Sequence, residues 1–383
     1  MVQLVSRMTI PDPSLDPLQN YPAQILKSYQ SRILNAILVA SLLIIFGMLI
    51  FNIINWGRDP EWGTFNVITD IITVFIVIGV WWLNYRGRTL IASWIFIIIT
   101  AILIPLSYSI ELYNQAVMIL AIPAVLSSLL IQPWVSFFVA ALSTLAYTIT
   151  FILTNQAFPY DYFSVLSLFV LALVSFLVTR ILTQTIRQVI QAYDETIQGW
   201  SMALELRDPL TKGHSERVVK LTLQLARLLG VKDAQLIHLR RGVLLHDLGK
   251  MAVPDSILNK AGPLTELEWE VMRRHPIYAY QFLSSIDYLA PALEIPCCHH
   301  EKWDGTGYPR GLKGDQIPLS ARIFAVIDVW DSLTSERVYR STWTKEQALE
   351  YIHDQSGKYF DPRVVNTFYQ VIAEGHMDEN LIT

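Results

Sequence analysis

The strongest constraint in this 383-residue chain is a desert of charge. Between Arg32 and Arg180 the only Asp, Glu, Lys or Arg residues are Arg58, Asp59, Glu61, Asp70, Arg86, Arg88, Glu111 and Asp161, whereas beyond residue 200 the charge density is that of an ordinary water-soluble domain. A helix of about 20 apolar residues crosses the roughly 30 Å of bilayer hydrocarbon. Six stretches of that kind can be marked, at 33–55, 64–84, 89–107, 111–131, 134–154 and 162–183. This segregation explains an overall composition of 52% hydrophobic and 16% charged residues, which is far from the soluble balance.

Loop charges give the orientation. Arg7, Lys27 and Arg32 precede the first stretch, Arg86 and Arg88 separate the second from the third, and Arg180 and Arg187 follow the sixth. The intervening loops carry Asp59, Glu61, Glu111 and Asp161 with Arg58 as their single cation. Excess Lys and Arg marks the cytoplasmic side, so six spans place both termini in the cytoplasm. Residues 1–32, with Pro11, Pro13, Pro17 and Pro22, read as a mostly irregular cytoplasmic tail, and no cleavable signal peptide precedes the first apolar run.

The expected organisation is therefore all-α throughout: a tail over 1–32, a six-helix transmembrane bundle over 33–183, a connecting signalling helix over 184–206, and a helical cytoplasmic domain over 200–383. In the connecting segment Ile186, Ile190, Tyr193, Ile197, Trp200 and Leu204 step by 4, 3, 4, 3 and 4, which is an a/d seam. It spans fewer than three heptads. A parallel homodimeric coiled coil through 184–206 is the favoured reading, and one amphipathic helix packed on its own domain is the alternative. Beyond Leu206 the apolar periodicity is helical, and strand-like alternation is absent. A net charge of −4 without a polybasic block gives no reason to expect long nucleic acid as a partner. Cys297 and Cys298 are the only cysteines; being adjacent, they read as small packed hydrophobes rather than a disulfide.

Two carboxylates stand where apolar helices should be buried: Asp247 in "RGVLLHDLGK" (241–250) and Asp328 in "ARIFAVIDVWDSL" (321–333). A buried carboxylate needs a cation or several donors. His246 adjoins the first, and His214, His275, His299 and His300 fall in separate compact motifs. Imidazole and carboxylate donors together suit Fe, Mn or Zn.

The motifs "HDLGK" and "HHEKWDGTGYPRGLKG", with "RDPLTKGHSERV", "MRRHP", "IPLSARIFAVIDVWDSLTSERVYR" and "SGKYFDP", resemble the HD-GYP family, a bacterial branch of the HD phosphohydrolases. The resemblance covers almost all of the soluble half. It implies metal ligation by His214, His246, Asp247, His275, His299, His300 and Asp328, with Asp247 bridging two divalent ions, Fe or Mn. It implies that Asp247 and Lys250 serve catalysis, and that Lys250, Gly307, Tyr308, Pro309, Arg337 and Arg340 meet the substrate. That substrate is cyclic di-GMP, opened to pGpG and in some members cut on to GMP. One departure stands out. Some members carry Glu four residues before the first histidine ligand, and here that position is Leu210, which points to two metals rather than three.

The implied protein is a multi-pass enzyme of the bacterial inner membrane, its catalytic domain cytoplasmic, with diguanylate cyclases or other signalling proteins as partners. The alternatives are a catalytically inactive cyclic-dinucleotide receptor, an HD hydrolase acting on another nucleotide, and a transporter governed by the HD domain. The transporter has only Asp70 as an acidic residue well inside a span.

Overall fold

The structure is a computed structural model that describes residues 17–56, 60–107, 121–153, 162–208, 213–335 and 342–373. The chain divides into two units, one of Pro22–Val189 and one built on Ile190–Thr383. Among the described residues every regular element is helical, apart from a single bridge between Ser356 and Phe360.

The first unit contains α1 (Pro17–Asn55), α2 (Pro60–Tyr85), α3 (Thr89–Ser107), α4 (Ala121–Leu130), α5 (Val135–Leu153) and the first part of α6 (Tyr162–Arg207). Segments Lys27–Asn55, Val67–Tyr85, Val135–Ile152 and Tyr162–Arg207 are long and apolar enough to cross a membrane; the helices at Thr89 and Ala121 are apolar but shorter over their described parts. Much of the expected span at 111–131 lies outside the described residues. The helices turn small and branched side chains inward, among them Leu34, Val77, Ala92, Ile97, Ala124, Val135, Ala140 and Leu168. Leu43, Ile44, Phe75 and Leu166 point outward. That inversion suits a lipid surround, where backbone groups are satisfied inside each helix and polar side chains must find one another. Accordingly, Asn84 donates to Asn35 Oδ1 at 2.8 Å and to the Ser31 carbonyl at 3.1 Å, and Asn52 donates to Asp70 at 2.8 Å.

The second unit continues α6 and adds α7 (His214–Leu228), α8 (Asp233–Leu245), α9 (Asp255–Leu258), α10 (Glu266–Met272), α11 (His275–Leu283), α12 (Glu294–Cys298), α13 (Leu319–Thr334), α14 (Lys345–Asp354) and α15 (Pro362–Ala373). Its core joins Val218 and Leu225 of α7, Val243 and Leu245 of α8, Ile323, Phe324 and Trp330 of α13, and Phe368 of α15. Local signals set several boundaries. Thr265 with Glu268 forms a reciprocal capping box at α10, Pro276 occupies the first turn of α11, and Glu205 accepts the Gly213 and Ser215 amides where α7 begins.

The apolar stripe of the connecting helix packs in part on its own domain. Ile190, Ile197 and Leu204 are buried, and Ile197 belongs to the core of the second unit. Trp200 meets Phe282 edge-on at 5.7 Å, and Tyr193 stacks on Tyr288 at 4.8 Å. Ile197 and Trp200 thus pack on their own domain, while Tyr193 remains half-exposed. Period marks an apolar stripe; it does not name what covers it.

Candidate metal centre

The two conspicuous carboxylates find their partners at helix ends. His246 and Asp247 follow α8 directly, and the chain then tightens into a 3₁₀ turn, Leu248–Ala252. His275 opens α11, His299 and His300 follow α12, His214 opens α7, and Asp328 lies within α13. The turn packs closely on α11: a Cβ built on Gly249 would overlap the His275 carbonyl and crowd the Ala279 amide, so only glycine fits.

All seven expected ligands come together, in two groups. One is Asp247, His275, His299 and His300; the other is His214, His246 and Asp328. Within each group one donor atom per residue lies within 4.8 Å of the others. Asp247 links the groups, with Oδ2 3.1 Å from His246 Nε2 and Oδ1 3.5 Å from His275 Nε2. His214 Nε2 is 3.4 Å from Asp328 Oδ1.

The ring orientations test whether a cation fits. Nδ1 of His246, His275 and His299 contacts the carbonyls of Val243, Met272 and Ile295 at 2.7, 2.8 and 3.0 Å. A carbonyl only accepts, so each Nδ1 carries a proton, and in the neutral form each ring turns a bare Nε2 to the centre. The Nε2 atoms of His275 and His299 face each other at 3.3 Å. Two bare lone pairs at that distance repel unless a cation lies between them. Protonation is a poor substitute. Burial pushes His299 well below the ordinary imidazole range and His300 down to about 3, and burial likewise lowers His275. At His246 burial also opposes charge, but the Asp247 carboxylate outweighs it and the net shift is upward. Asp247 suffers the same burial, yet His246 and Lys250 hold it well below the usual carboxylate range. Buried neutral imidazoles gathered around a buried carboxylate are a donor set for first-row divalent ions.

Lys250 sets its ammonium 2.7 Å from Asp247 Oδ2 and 3.4 Å from Asp208. It therefore already serves the linking carboxylate. Three further residues that the sequence reading did not single out support the site. Asp331, one turn after Asp328, accepts from His214 Nδ1 at 2.7 Å and from Arg217 at 2.7 and 2.9 Å. Arg207 donates to the Lys250 and Val253 carbonyls at 3.0 and 2.7 Å and pins the 3₁₀ turn. A second Asp in an apolar helix, spaced to share a face with the first, was the available signal for Asp331; Arg207 offered none.

The glycine-rich loop rises from the last ligand. The Tyr308 ring lies 4.7 Å from that of His300, and its amide donates to the His300 carbonyl at 3.2 Å. Buried Glu301 accepts the Arg310 and Leu312 amides at 2.8 and 2.9 Å, which folds the loop back. Gly307 leaves no room for a Cβ against the backbone of Glu301 and Lys302. Trp303 has the guanidiniums of Arg322 and Arg363 over its ring, each at 5.6 Å. Of the expected rim residues, Tyr308 adjoins the centre through His300 and Gly307 packs on the backbone beside it, while Arg337 and Arg340 lie outside the described residues. Cys298 is buried and Cys297 half-buried, packed near Ile317 and Ala321 and away from the ligand cage.

Residues 199–364, which hold the His–Asp pair and the cage of histidines, match the HD domain family. The chain is 41% identical over 195 residues to the cyclic di-GMP phosphodiesterase response regulator RpfG of Xanthomonas campestris pv. campestris, covering 50% of this chain and 52% of that protein. It is 40% identical over 187 residues to 3'3'-cGAMP-specific phosphodiesterase 2 of Vibrio cholerae, covering 48% and 35%. Against a cyclic di-GMP phosphodiesterase of Thermotoga maritima the identity is 38% over 182 residues, covering 47% and 50%. The chain spans about half or less of the length of these curated relatives.

Proposed function

We propose that the chain is a membrane-anchored, metal-dependent phosphodiesterase of the HD-GYP family that opens cyclic di-GMP to pGpG at the cytoplasmic face of the inner membrane. The carrying observation is the pair of donor groups joined through Asp247. Two divalent ions, Fe or Mn, fit it, one per group. Bound there, they supply a water of lowered pKa and neutralise phosphoryl charge. The chain's own contribution is positional. Asp247 would be a ligand common to both donor groups, Lys250 holds that carboxylate ionised and offers its ammonium to a phosphate oxygen, and Tyr308 with Gly307 and Pro309 would shape the rim. Arg337 and Arg340 neutralise the remaining phosphate charge.

A second reading has a specific observation behind it: 3'3'-cGAMP-specific relatives match about as well as the cyclic di-GMP ones. The test therefore offers both dinucleotides to the full chain in detergent, loaded with Mn or Fe, with products separated by chromatography and metal counted on the same sample. Conversion of cyclic di-GMP to pGpG is the expected result; exclusive turnover of 3'3'-cGAMP selects the second reading. Absence of turnover from a fully metallated sample makes the domain a receptor. Asp247→Ala should lose both metal and hydrolysis, and full activity in that variant would move the site elsewhere.

A further inference from the structure

The connecting helix is tied to a ligand-bearing helix by a buried ion pair that the metal centre does not use. Arg241 of α8 is fully buried, and it donates from Nε to Asp194 Oδ1 at 2.7 Å and from Nη2 to Oδ2 at 3.2 Å. Asp194 belongs to α6 and is itself only 4% exposed. Nη2 also donates to the Tyr288 hydroxyl, and the guanidinium lies 4.3 Å from the Tyr288 ring centroid. The neighbour of Asp194, Tyr193, stacks on the same Tyr288.

Burying two charges adds little stability compared with apolar packing of the same volume; its best-attested use is to fix which residue faces which. The place of this pair in α8 gives that use a purpose. The next residue, Gly242, touches the segment leading into α12: a Cβ there would sit 2.8 Å from the Ala292 carbonyl oxygen and 3.3 Å from Ile295. Four and five residues past Gly242 come His246 and Asp247, about 7 Å further along at 1.5 Å per residue. Four and five residues past Ile295 come His299 and His300. One turn of α8 is thus fixed by charge to α6 and by close contact to the segment carrying the other donors. Any slide or rotation of α6 must either break the Arg241–Asp194 pair or carry α8 with it.

We propose that Asp194 and Arg241 are positioning residues for the metal centre: the register they set between α6 and α8 determines where His246 and Asp247 stand. The proposal rests on the metal-centre reading above and not on which dinucleotide is cut.

The experiment uses the full chain in detergent micelles and reads Mn²⁺ affinity by equilibrium dialysis, with the Mn²⁺ electron-paramagnetic-resonance spectrum as a second readout. Asp194→Asn keeps the shape and removes the charge. It should weaken Mn²⁺ binding by about tenfold or more, the range for losing an outer-shell partner, and should alter the spectrum. Asp194→Glu should recover most of the affinity. Ile197→Val, in the same helix and the same core, should lower the unfolding temperature but leave Mn²⁺ affinity and spectrum unchanged. Asp194→Asn with native affinity and spectrum overturns the proposal. If that variant does not fold, Tyr288→Phe decides: a smaller loss in the same direction supports the proposal, and native affinity overturns it. A wild-type chain that binds no divalent ion refutes the metal centre and this inference with it, whereas normal metal binding without hydrolysis refutes only the proposed reaction.

Discussion

Asp331→Asn offers the sharpest check on how the centre is held. The carboxylate is buried, which by itself would raise its pKa; hydrogen bonds from His214 and Arg217 outweigh that and bring it from 3.8 to about 2. A shift of nearly two units corresponds to about 2.5 kcal/mol. The geometry gives a similar figure by another route. Three donors converge on two oxygens, at 2.7, 2.7 and 2.9 Å. An amide turns its own NH₂ group toward one of them, losing at least one charge-assisted bond worth about 1.5–3 kcal/mol. For a domain of this size the loss lowers the melting temperature by about 5–10 °C. Metal affinity should fall by about tenfold if the amide oxygen stays with His214, and by up to about a hundredfold if it does not. The sign of the pH effect follows from a folded pKa below the unfolded one. The contribution is complete above about pH 4 and is lost as pH falls toward 2, so wild type and variant should converge in stability over that interval. Scanning fluorimetry across pH, with dialysis for metal, makes both measurements. A variant within 1 °C of wild type at pH 7 (about 0.3 kcal/mol) with unchanged affinity would refute the role given to Asp331.

Two other expectations follow from the loop and its preceding helix. Burial raises Cys297 to about 11 and Cys298 to about 12, so at pH 8 only about a thousandth of Cys297 is thiolate; a disulfide reagent should label neither until the domain unfolds, and fast labelling of the native chain would show the packing to be wrong. Glu301→Ala leaves the Arg310 and Leu312 amides without their carboxylate, at about 1–3 kcal/mol each where they stay dry; hydrogen exchange over 303–314 should accelerate and KM for the dinucleotide rise while metal content holds, and an unchanged exchange pattern would count against the staple.

The candidate ligands were legible because each broke a local rule. A carboxylate inside an apolar helix demands a partner, and histidines set in distinct motifs supplied candidates; the structure brings all seven together. Lys250 was recognised as part of the site, but its partner was not: it sits on Asp247. Arg207 escaped because its role depends on residues more than forty positions away, and periodicity carries no such information; Asp331 did offer a signal, its spacing from Asp328 on one helix face. The connecting helix shows the same limit. Its seam reads as a stripe, and part of that stripe, Ile197 with Trp200, packs on its own domain. In the apolar half, hydropathy located helices; residues 108–120 and 154–161 lie outside the described residues.

The missing side chain at Gly249 has a consequence for how the centre is loaded. Because the turn after Asp247 lies backbone to backbone on the start of α11, the linking carboxylate and His275 are brought together by folding itself, before any ion arrives. The ordering entropy that a flexible chelate loses on capture has already been spent in building the core. Such a cage would take an ion without first closing around it, and its preference would be set by donor chemistry, fixed geometry and supply. The metal recovered with the protein is then a record of the compartment in which it was made, and changing the metal in the growth medium should change the metal in the site.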